Sequence, residues 1–195
     1  MTPPPDPIAE YRVLFSRALE LEGEKDATAA TLATVDAGGQ PTARVILIKH
    51  VDEQGFVFYT NLESRKSREL RANPRAALCI YWTSLDKQYR VEGSVTSVAD
   101  READEYFASR PRGSQIGAWT SKQSAPLASR QELMARYLKI QARFAGKTVP
   151  RPSFWGGLRL EPQRIEIWHN QRFRLHDRFL YLREGDSWTV RRLYP

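Results

Sequence analysis

The sequence has little cysteine and histidine, which limits the chemistry that its own side chains can support. Cys79 is the only cysteine in 195 residues, which excludes an intrachain disulfide and a zinc site built from thiolates. It lies in the apolar run AALCIYW, where a buried structural thiol is expected. His50, His169 and His176 lie far apart without metal-ligand spacing, so no metal site is predicted.

Long apolar runs and common catalytic motifs are also missing. No run approaches the length needed to cross a bilayer, and MTPPPDP lacks the charged-then-apolar layout of a signal peptide. Together with the single cysteine, these features predict a cytoplasmic protein without a membrane partner. There is no P-loop, no G-x-G-x-x-G turn after a strand and no G-x-S-x-G elbow. If the chain is an enzyme, we expect a bound cofactor to carry the difficult step.

The net charge of +7 is compatible with either nucleic-acid binding or phosphate binding. The basic residues are spread along the chain with acidic ones between them, and no basic tail, zinc knuckle or aromatic RNA-binding signature is present. We therefore predict no nucleic-acid partner and favour an enzyme that binds several phosphates.

The pattern of elements predicts one mainly β domain over residues 7–195, preceded by a Pro-rich, disordered segment over residues 1–6. Asp6 and Asp100 are expected to cap helices, and Gly23 is expected to end the first. The other predicted helices cover 64–72, 100–109 and 127–145. The predicted strands cover 30–35, 43–50, 56–60, 76–82, 88–98, 158–168, 173–182 and 188–193. This α+β pattern favours a closed or split β-barrel, which holds a small ligand only at its mouth or seam.

The segment 106–124, YFASRPRGSQIGAWTSKQS, is the richest of four clusters of hydrogen-bond donors. Arg110, Arg112 and Lys122 lie among serines and glycines, a combination that favours close approach to an oxyanion. A plain surface loop is the alternative, although such a loop would rarely place Ile116 and Trp119 beside the donors.

Two further clusters lie near predicted strand ends. In RVILIK (44–49), alternation places Arg44 and Lys49 on opposite faces of an apolar strand, and this segment alone favours neither ligand binding nor solvation. After Tyr59 and Thr60, the pair at 65–66 (Arg-Lys) begins a helix, where cations oppose the helix dipole. A phosphate bound at that helix end would reverse this cost.

The fourth cluster follows Trp168. Arg172, Arg174, His176 and Arg178 are predicted to share one strand face, with Phe173, Leu175 and Phe179 in the opposite, core-side set. The cationic face requires an anionic or aromatic cover, unless it is an edge strand protected by charge.

Together, these motifs resemble the pyridoxamine 5′-phosphate oxidase family over nearly the whole chain. RPRGSQIGAWTSKQS (110–124) and RLHDRF (174–179) are the long, specific matches. The other matching segments are RVILIKH (44–50), VFYTNLESRKSREL (57–70), PSFWGGLRL (152–160) and IEIW (165–168).

The resemblance implies a homodimeric, FMN-binding split β-barrel with flanking helices and with active sites shared between subunits. It implies that FMN is held by Arg44, Val45, Ile46, Leu47, Ile48, Lys49, Tyr59, Thr60, Arg65, Lys66, Gln88, Gln123, Ser124, Trp168 and Arg178. It implies that the substrate phosphate is held by Lys49, Tyr106, Arg110 and Ser114. Arg174, Leu175 and His176 would then bind the substrate around its pyridine ring, with Arg174 and His176 as the catalytic residues.

The implied reaction oxidises pyridoxamine or pyridoxine 5′-phosphate to pyridoxal 5′-phosphate, with O2 as acceptor and hydrogen peroxide as by-product. One alternative is a related flavin oxidase of the phenazine-pathway type, although RLH (174–176) with Arg110 and Ser114 favours a phosphorylated substrate. The other is a non-catalytic carrier of flavin or pyridoxal phosphate. Family members often have an N-terminal extension whose Arg and Tyr cover the substrate. MTPPPDP supplies neither residue, so a more open site is expected.

Overall fold

A computed structural model describes residues 2–23 and 27–195. Within these ranges the α-helices are α1 (Pro7–Glu22), α2 (Arg65–Ala72), α3 (Asp100–Ser109), α4 (Arg112–Thr120) and α5 (Arg130–Arg143). The strands are β1 (Ala29–Val35), β2 (Pro41–Asp52), β3 (Gly55–Asn61), β4 (Arg75–Trp82), β5 (Lys87–Ser97), β6 (Trp155–His169), β7 (Asp177–Glu184) and β8 (Ser187–Leu193). Short 3₁₀ turns cover Thr83–Leu85 and Arg172–Arg174.

The strands form an antiparallel barrel that is closed by its longest strand. The sheet order is β3-β2-β1-β4-β5-β6-β7-β8, and β3 also pairs with β6, so β1 to β6 complete a ring. The register of β5 on β6 shifts between Glu92 and Gly93. A Cβ at Gly93 would lie 1.9 Å from the carbonyl oxygen of Glu161, so only glycine permits this close approach. The barrel and its helices confirm the predicted mainly β fold class.

Helix α1 packs on the barrel core through Tyr11. The Tyr11 ring lies 5.0 Å from Phe56, 5.4 Å from Trp82 and 5.2 Å from Tyr89, centroid to centroid. Asp6 accepts a hydrogen bond of 2.8 Å from the backbone N–H of Ile8, as the predicted N-cap requires. This burial fixes the helix against the barrel.

A second apolar cluster attaches helices α3, α4 and α5 beside the start of β6. Its buried members are Phe107, Ile116, Phe144, Val149 and Trp155. Because α4 is anchored here, the donor-rich segment 106–124 is held against the barrel wall. The sequence predicted no helix over 112–120, so α4 is an element that it missed.

The other predicted elements are confirmed, with corrections at their ends. Asp100 is the first residue of α3 and Ala99 is its N-cap, so the predicted cap is wrong by one residue. Helix α5 starts at Arg130, after Ser129, whose hydroxyl accepts from the N–H of Glu132 at 3.1 Å. Cys79 is half-buried, which is less than the buried thiol that we expected.

The N-terminal segment contacts the barrel within the described residues. The Tyr181 hydroxyl donates a hydrogen bond of 2.8 Å to the carbonyl oxygen of Pro4. The division into a disordered segment and one domain stays a prediction. Across 2–23 and 27–195, none of the helices has both the length and the apolar character that a membrane span requires.

Candidate active site

A cavity of about 600 Å³ lies where β2, β3, α2 and the segment before β6 meet. It is lined by residues 42–47, Lys49, Tyr59, Thr60, Arg65, Lys66, Tyr106, Arg110, Gln123, Ser124 and Trp155. A smaller cavity of about 340 Å³ shares Tyr59, Thr60, Arg110, Gln123 and Trp155 with it and adds Ser114. Three of the four donor clusters therefore converge on one place, and the cavity gathers five basic side chains.

Strand β2 supplies one wall of the cavity through the consecutive residues 42–47, while burial along the strand alternates. Val45 is 66% exposed, whereas Ile48 is buried in the core, so the two predicted faces are confirmed. Ile48 is the one residue of the predicted 44–49 set that does not line the cavity. The register on β3 shifts between Ile48 and His50, which places Lys49 at a bulge next to the ligand space.

The first turn of α2 supplies two cations. Lys66 is only 8% exposed, and its Nζ donates to the Thr60 hydroxyl at 2.9 Å and to Gln123 Oε1 at 3.3 Å. Burial, together with the nearby charge of Arg44, lowers the pKa of Lys66 to about 8. Lys66 and Arg65 both lie beside the free N–H groups of the helix N-terminus, so an anion bound here would relieve their mutual repulsion.

The carboxylate of Glu69, one turn further along α2, binds two of the cavity's arginines. Glu69 is buried and accepts hydrogen bonds from Arg65 and Arg44 at 2.8 and 3.0 Å. Burial alone would raise the pKa of Glu69, but hydrogen bonds from Thr34, Thr42 and Arg65 and the charge of Arg44 hold it at about 2. Glu69 is therefore ionised at any working pH.

Three aromatic rings form the opposite wall. Tyr59 stacks on Tyr106 with centroids 3.9 Å apart, and on Trp155 with centroids 5.5 Å apart. The Arg110 guanidinium lies over the Trp155 ring, and its Nη1 atom is buried with no hydrogen-bond partner within 2–23 and 27–195. Burial also lowers the pKa of Arg110. Within the described residues this donor is unused, and Arg110 lines both cavities, so an oxyanion there would give it a partner.

The remaining predicted site residues form a second group on β5, β6 and β7, away from the cavity lining. Gln88 pairs with Trp168, and Trp168 pairs with Arg178 on the other side. Arg178 Nε donates to the buried carboxylate of Glu166 at 2.8 Å. The His176 ring lies 4.6 Å from Trp168, and its Nδ1 accepts from the N–H of Gln171 at 3.2 Å. The described chain thus holds two separate halves of the predicted site.

The predicted strand face in this second group is wrong. Residues 172–174 form a 3₁₀ turn, in which Phe173 and Arg174 have φ values of 59° and 61°. Of the four polar residues, only Arg178 lies in β7, and Arg174 and Leu175 precede it in the turn and loop. Phe173 is 89% exposed and Leu175 is 67% exposed, so neither joins the core, whereas Phe179 does.

Sequence reasoning also missed the wall residue Trp155 and the support residues Glu69, Thr34 and Glu166. Trp155, Glu69 and Glu166 lie in the matching segments PSFWGGLRL, VFYTNLESRKSREL and IEIW, which was the usable signal, whereas Thr34 lies in none of them. Glu69 also pairs with Arg65 at i,i+4, but its bonds to Thr34 and Arg44, and that of Glu166 to Arg178, join different elements that no local pattern connects.

Two family models match most of the chain. The model described as "Pyridoxamine 5′-phosphate oxidase" matches residues 20–144, and that described as "Pyridoxine 5′-phosphate oxidase C-terminal dimerisation region" matches residues 155–195. The pyridoxine/pyridoxamine 5′-phosphate oxidase of Myxococcus xanthus strain DK1622 is 56% identical over 192 residues, which cover 98% of this chain and 93% of that protein. The protein of the same name from Anaeromyxobacter dehalogenans strain 2CP-C is 54% identical over 191 residues, 98% of this chain and 96% of that one.

Solved structures show the same architecture. PhzG from Burkholderia lata 383, in complex with tetrahydrophenazine-1-carboxylic acid, matches with a TM-score of 0.91 at 30% identity, covering 99% of this chain and 94% of PhzG. A pyridoxamine 5′-phosphate oxidase-related, FMN-binding protein from Nostoc punctiforme PCC 73102 matches with a TM-score of 0.74, covering all of both chains. At 18% identity, the second likeness concerns the fold alone.

Proposed function

Because the chain belongs to the pyridoxamine 5′-phosphate oxidase family, we propose that it oxidises pyridoxamine or pyridoxine 5′-phosphate to pyridoxal 5′-phosphate. FMN is the proposed cofactor, O2 the acceptor and hydrogen peroxide the by-product. The observation that carries the proposal is the presence of two groups of cationic and hydrogen-bond-donating side chains in one cavity system. One contains Arg65 and Lys66, and the other contains Arg110 and Ser114. Such a reaction brings two phosphate monoesters together, one from the cofactor and one from the substrate.

The donor set around α2 fits the phosphate of FMN. Lys66 is a buried cation, Arg65 lines the cavity, and free N–H groups of the helix N-terminus lie beside both. Gln123 and Ser124 lie on the same cavity wall, where they suit the ribityl chain. Bound FMN would supply the hydride acceptor and the group that O2 reoxidises.

The aromatic wall fits the substrate phosphate. Arg110 has an unused, buried Nη1 donor, and Lys49 and Tyr106 line the same space. Ser114 lines the adjoining cavity, which Arg110 also lines. We assign these four residues to the 5′-phosphate group of the substrate.

We propose that the second half of each site comes from a partner subunit in a two-fold homodimer. The part of the chain that matches a dimerisation region, residues 155–195, contains Trp168, Arg174, His176 and Arg178. Exposed apolar side chains lie in both halves, Val45 on β2 and Phe173 and Leu175 beside β7, and a dimer would cover them. Arg174 then covers the substrate ring, His176 positions the reacting group, and Gln88, Trp168 and Arg178 complete the flavin site.

Two alternatives are tested by the same experiment. The structural likeness to PhzG, whose structure holds tetrahydrophenazine-1-carboxylic acid, is the ground for one alternative, a related flavin oxidase of the phenazine-pathway type. The other, a non-catalytic carrier, would bind flavin without turnover. Purified protein is examined for flavin absorbance and then supplied with pyridoxine 5′-phosphate while O2 is measured. O2 consumption that fails with unphosphorylated pyridoxine supports the proposal. A flavin-containing protein that is inactive with both phosphorylated substrates contradicts it.

A further inference from the structure

Glu69 joins two arginines from different elements behind the α2 end of the cavity. Its Oε1 atom accepts from Arg65 Nε at 2.8 Å, and its Oε2 atom accepts from Arg44 Nη2 at 3.0 Å. Both arginines line the cavity, whereas Glu69 is 5% exposed and does not line it. A single carboxylate therefore fixes a guanidinium group of β2 relative to one of α2.

Two threonine hydroxyls extend this network. Thr34 and Thr42 donate to Glu69 Oε2 at 2.6 and 2.8 Å. A hydroxyl has one proton, so an oxygen that donates to Glu69 can only accept from its other neighbours. Arg44 donates to both threonines, through Nη1 to Thr34 at 2.5 Å and through Nη2 to Thr42. The charge on Glu69 thus sets the direction of the hydrogen bonds around Arg44.

The four Nη hydrogens of Arg44 are taken by the Leu32 carbonyl oxygen, Thr34, Thr42 and Glu69, so Arg44 serves as a fixed anchor. We propose that Glu69 is a positioning residue, whose carboxylate ties Arg65 to this anchor and so holds Arg65 in the orientation that receives the phosphate of FMN. The inference rests on the proposed function. Arg65 uses Nε on Glu69, and its Nη2 lies 4.0 Å from Asp36 Oδ2, beyond hydrogen-bond distance, so neither Nη group of Arg65 is tied by a hydrogen bond to Glu69 or Asp36 at the cavity that it lines. A phosphate is bound best by guanidinium groups whose planes are already fixed.

An amide cannot replace this carboxylate at both arginines. A glutamine side chain has one oxygen acceptor and one NH2 donor. If its oxygen faced Arg44 and the two threonines, its NH2 group would face the N–H of Arg65. The opposite orientation would place donors against Arg44. Glu69→Asp keeps the charge but is one methylene shorter, so it cannot span both partners. Glu69→Gln therefore removes the charge, whereas Glu69→Asp keeps the charge and removes the correct position of the carboxylate.

The test compares the affinity of the flavin-free full-length protein for FMN and for riboflavin, which lacks the phosphate, by flavin fluorescence. Loss of one charge-assisted contact predicts that Glu69→Gln and Glu69→Asp each weaken FMN binding roughly tenfold. Riboflavin binding should be unchanged. Glu63→Gln is the matched control, because Glu63 is an exposed carboxylate just before α2 and its loss changes the net charge equally. This control should bind FMN as the parent does.

Each other outcome contradicts the positioning role. If Glu69→Gln binds FMN as tightly as the parent or more tightly, Glu69 does not position Arg65. If Glu69→Asp binds FMN as the parent does, Glu69 contributes only its negative charge. An equal loss of FMN and riboflavin would indicate a purely structural residue. If neither variant folds, the same titrations are made with Thr42→Val, which keeps the carboxylate of Glu69 and removes one hydroxyl that donates to it. An unchanged ratio of FMN affinity to riboflavin affinity in Thr42→Val would overturn the proposal. If the parent protein binds neither FMN nor riboflavin, the proposed function is contradicted as well. If the parent binds FMN and the Glu69 variants bind it equally well, only the present inference is contradicted.

Discussion

The Arg110 guanidinium lies over the indole of Trp155, with its Cζ atom 4.8 Å from the ring centroid. Trp155 begins β6 and Arg110 follows α3, so this cation–π contact connects two elements across the cavity wall. The ring face holds the cation without neutralising it. The buried Nη1 atom of Arg110 has no hydrogen-bond partner among residues 2–23 and 27–195, and we assign the guanidinium, which lines the cavity, to a phosphate oxygen.

Arg110→Ala should raise the KM for pyridoxine 5′-phosphate by roughly ten- to a hundredfold, because a charge-assisted phosphate contact is lost. Arg112→Ala is the matched control from the same motif. Arg112 donates to the carbonyl oxygens of Phe144 and Lys147 and does not line the cavity. Its loss should lower the melting temperature and leave KM unchanged. Steady-state kinetics and thermal unfolding of both variants check this, and equal KM values for parent and Arg110→Ala would contradict it.

Lys66→Ala should weaken FMN binding by roughly ten- to a hundredfold, since a buried ammonium contact to phosphate is removed. The measurement is flavin retention during dilution, followed by a fluorescence titration. Chromatography of the flavin released from the parent should identify FMN. Finding FAD, or a variant that retains flavin as well as the parent, would contradict the assignment.

The lowered pKa of Lys66 also predicts how FMN binding depends on pH. In the flavin-free protein this side chain is charged below about pH 8 and becomes neutral above it. If FMN requires the charged form, its affinity should fall about fivefold between pH 8 and pH 9 and then about tenfold per pH unit, the slope of one proton. Riboflavin affinity should stay flat, and Lys66→Gln should remove the FMN slope. For unfolding the sign is opposite: the unfolded chain retains this proton to higher pH, so the flavin-free protein gains stability as pH rises above 8.

Arg174→Ala should fold, retain flavin and lose turnover, because Arg174 is assigned to the substrate ring. Arg174→Lys should also be poor, since a point charge cannot lie flat over a pyridine ring. Absorbance spectra and O2 consumption measure the two properties separately. A colourless or aggregated Arg174→Ala protein would instead make Arg174 structural.

Mixing two inactive variants tests whether each site is shared between subunits. Lys49→Ala and Arg174→Ala homodimers should each be nearly inactive. After unfolding, equal mixing and refolding, half of the dimers should be hybrids, and each hybrid has one intact site and one doubly damaged site. The mixture should therefore regain roughly a quarter of the parent activity. No recovery, with hybrids shown by native mass spectrometry, would mean that each site is built within one chain.

The barrel and the cavity-lining strand were predictable because their signals are local. Strict alternation along β2 predicted which side chains face outward, and Val45 and Ile48 lie as expected. The pair Asp6–Pro7 predicted the start of α1 for a similarly local reason, since the cap bonds within two residues.

The missed features depend on contacts that are remote in sequence. Helix α4 contains Gly113 and Gly117, which weaken its helical signal, and its buried Ile116 packs on Trp155 in β6. In the 3₁₀ turn Phe173 has a positive φ, whereas the alternating pattern of residues 172–178 predicted an extended strand there. Glu69 has the local i,i+4 spacing to Arg65, but its partners Arg44 and Thr34 are 25 and 35 positions away, so no local pattern identified the link between the two arginines.

Strand β6 limits how the sequence can change by insertion. Trp155 at its start lies in the cavity wall, and Trp168 near its end lies in the second half of the site. Because side chains alternate along a strand, a single inserted residue between them would turn one of the two to the other face. In a two-fold dimer that error would occur in every site at once. Because β6 already takes up one unpaired residue, Gln163, in its pairing with β5, the paired stretches on either side of that bulge must keep their lengths, whereas the turn at Gly185 between β7 and β8 lines neither cavity of the site and can vary in length.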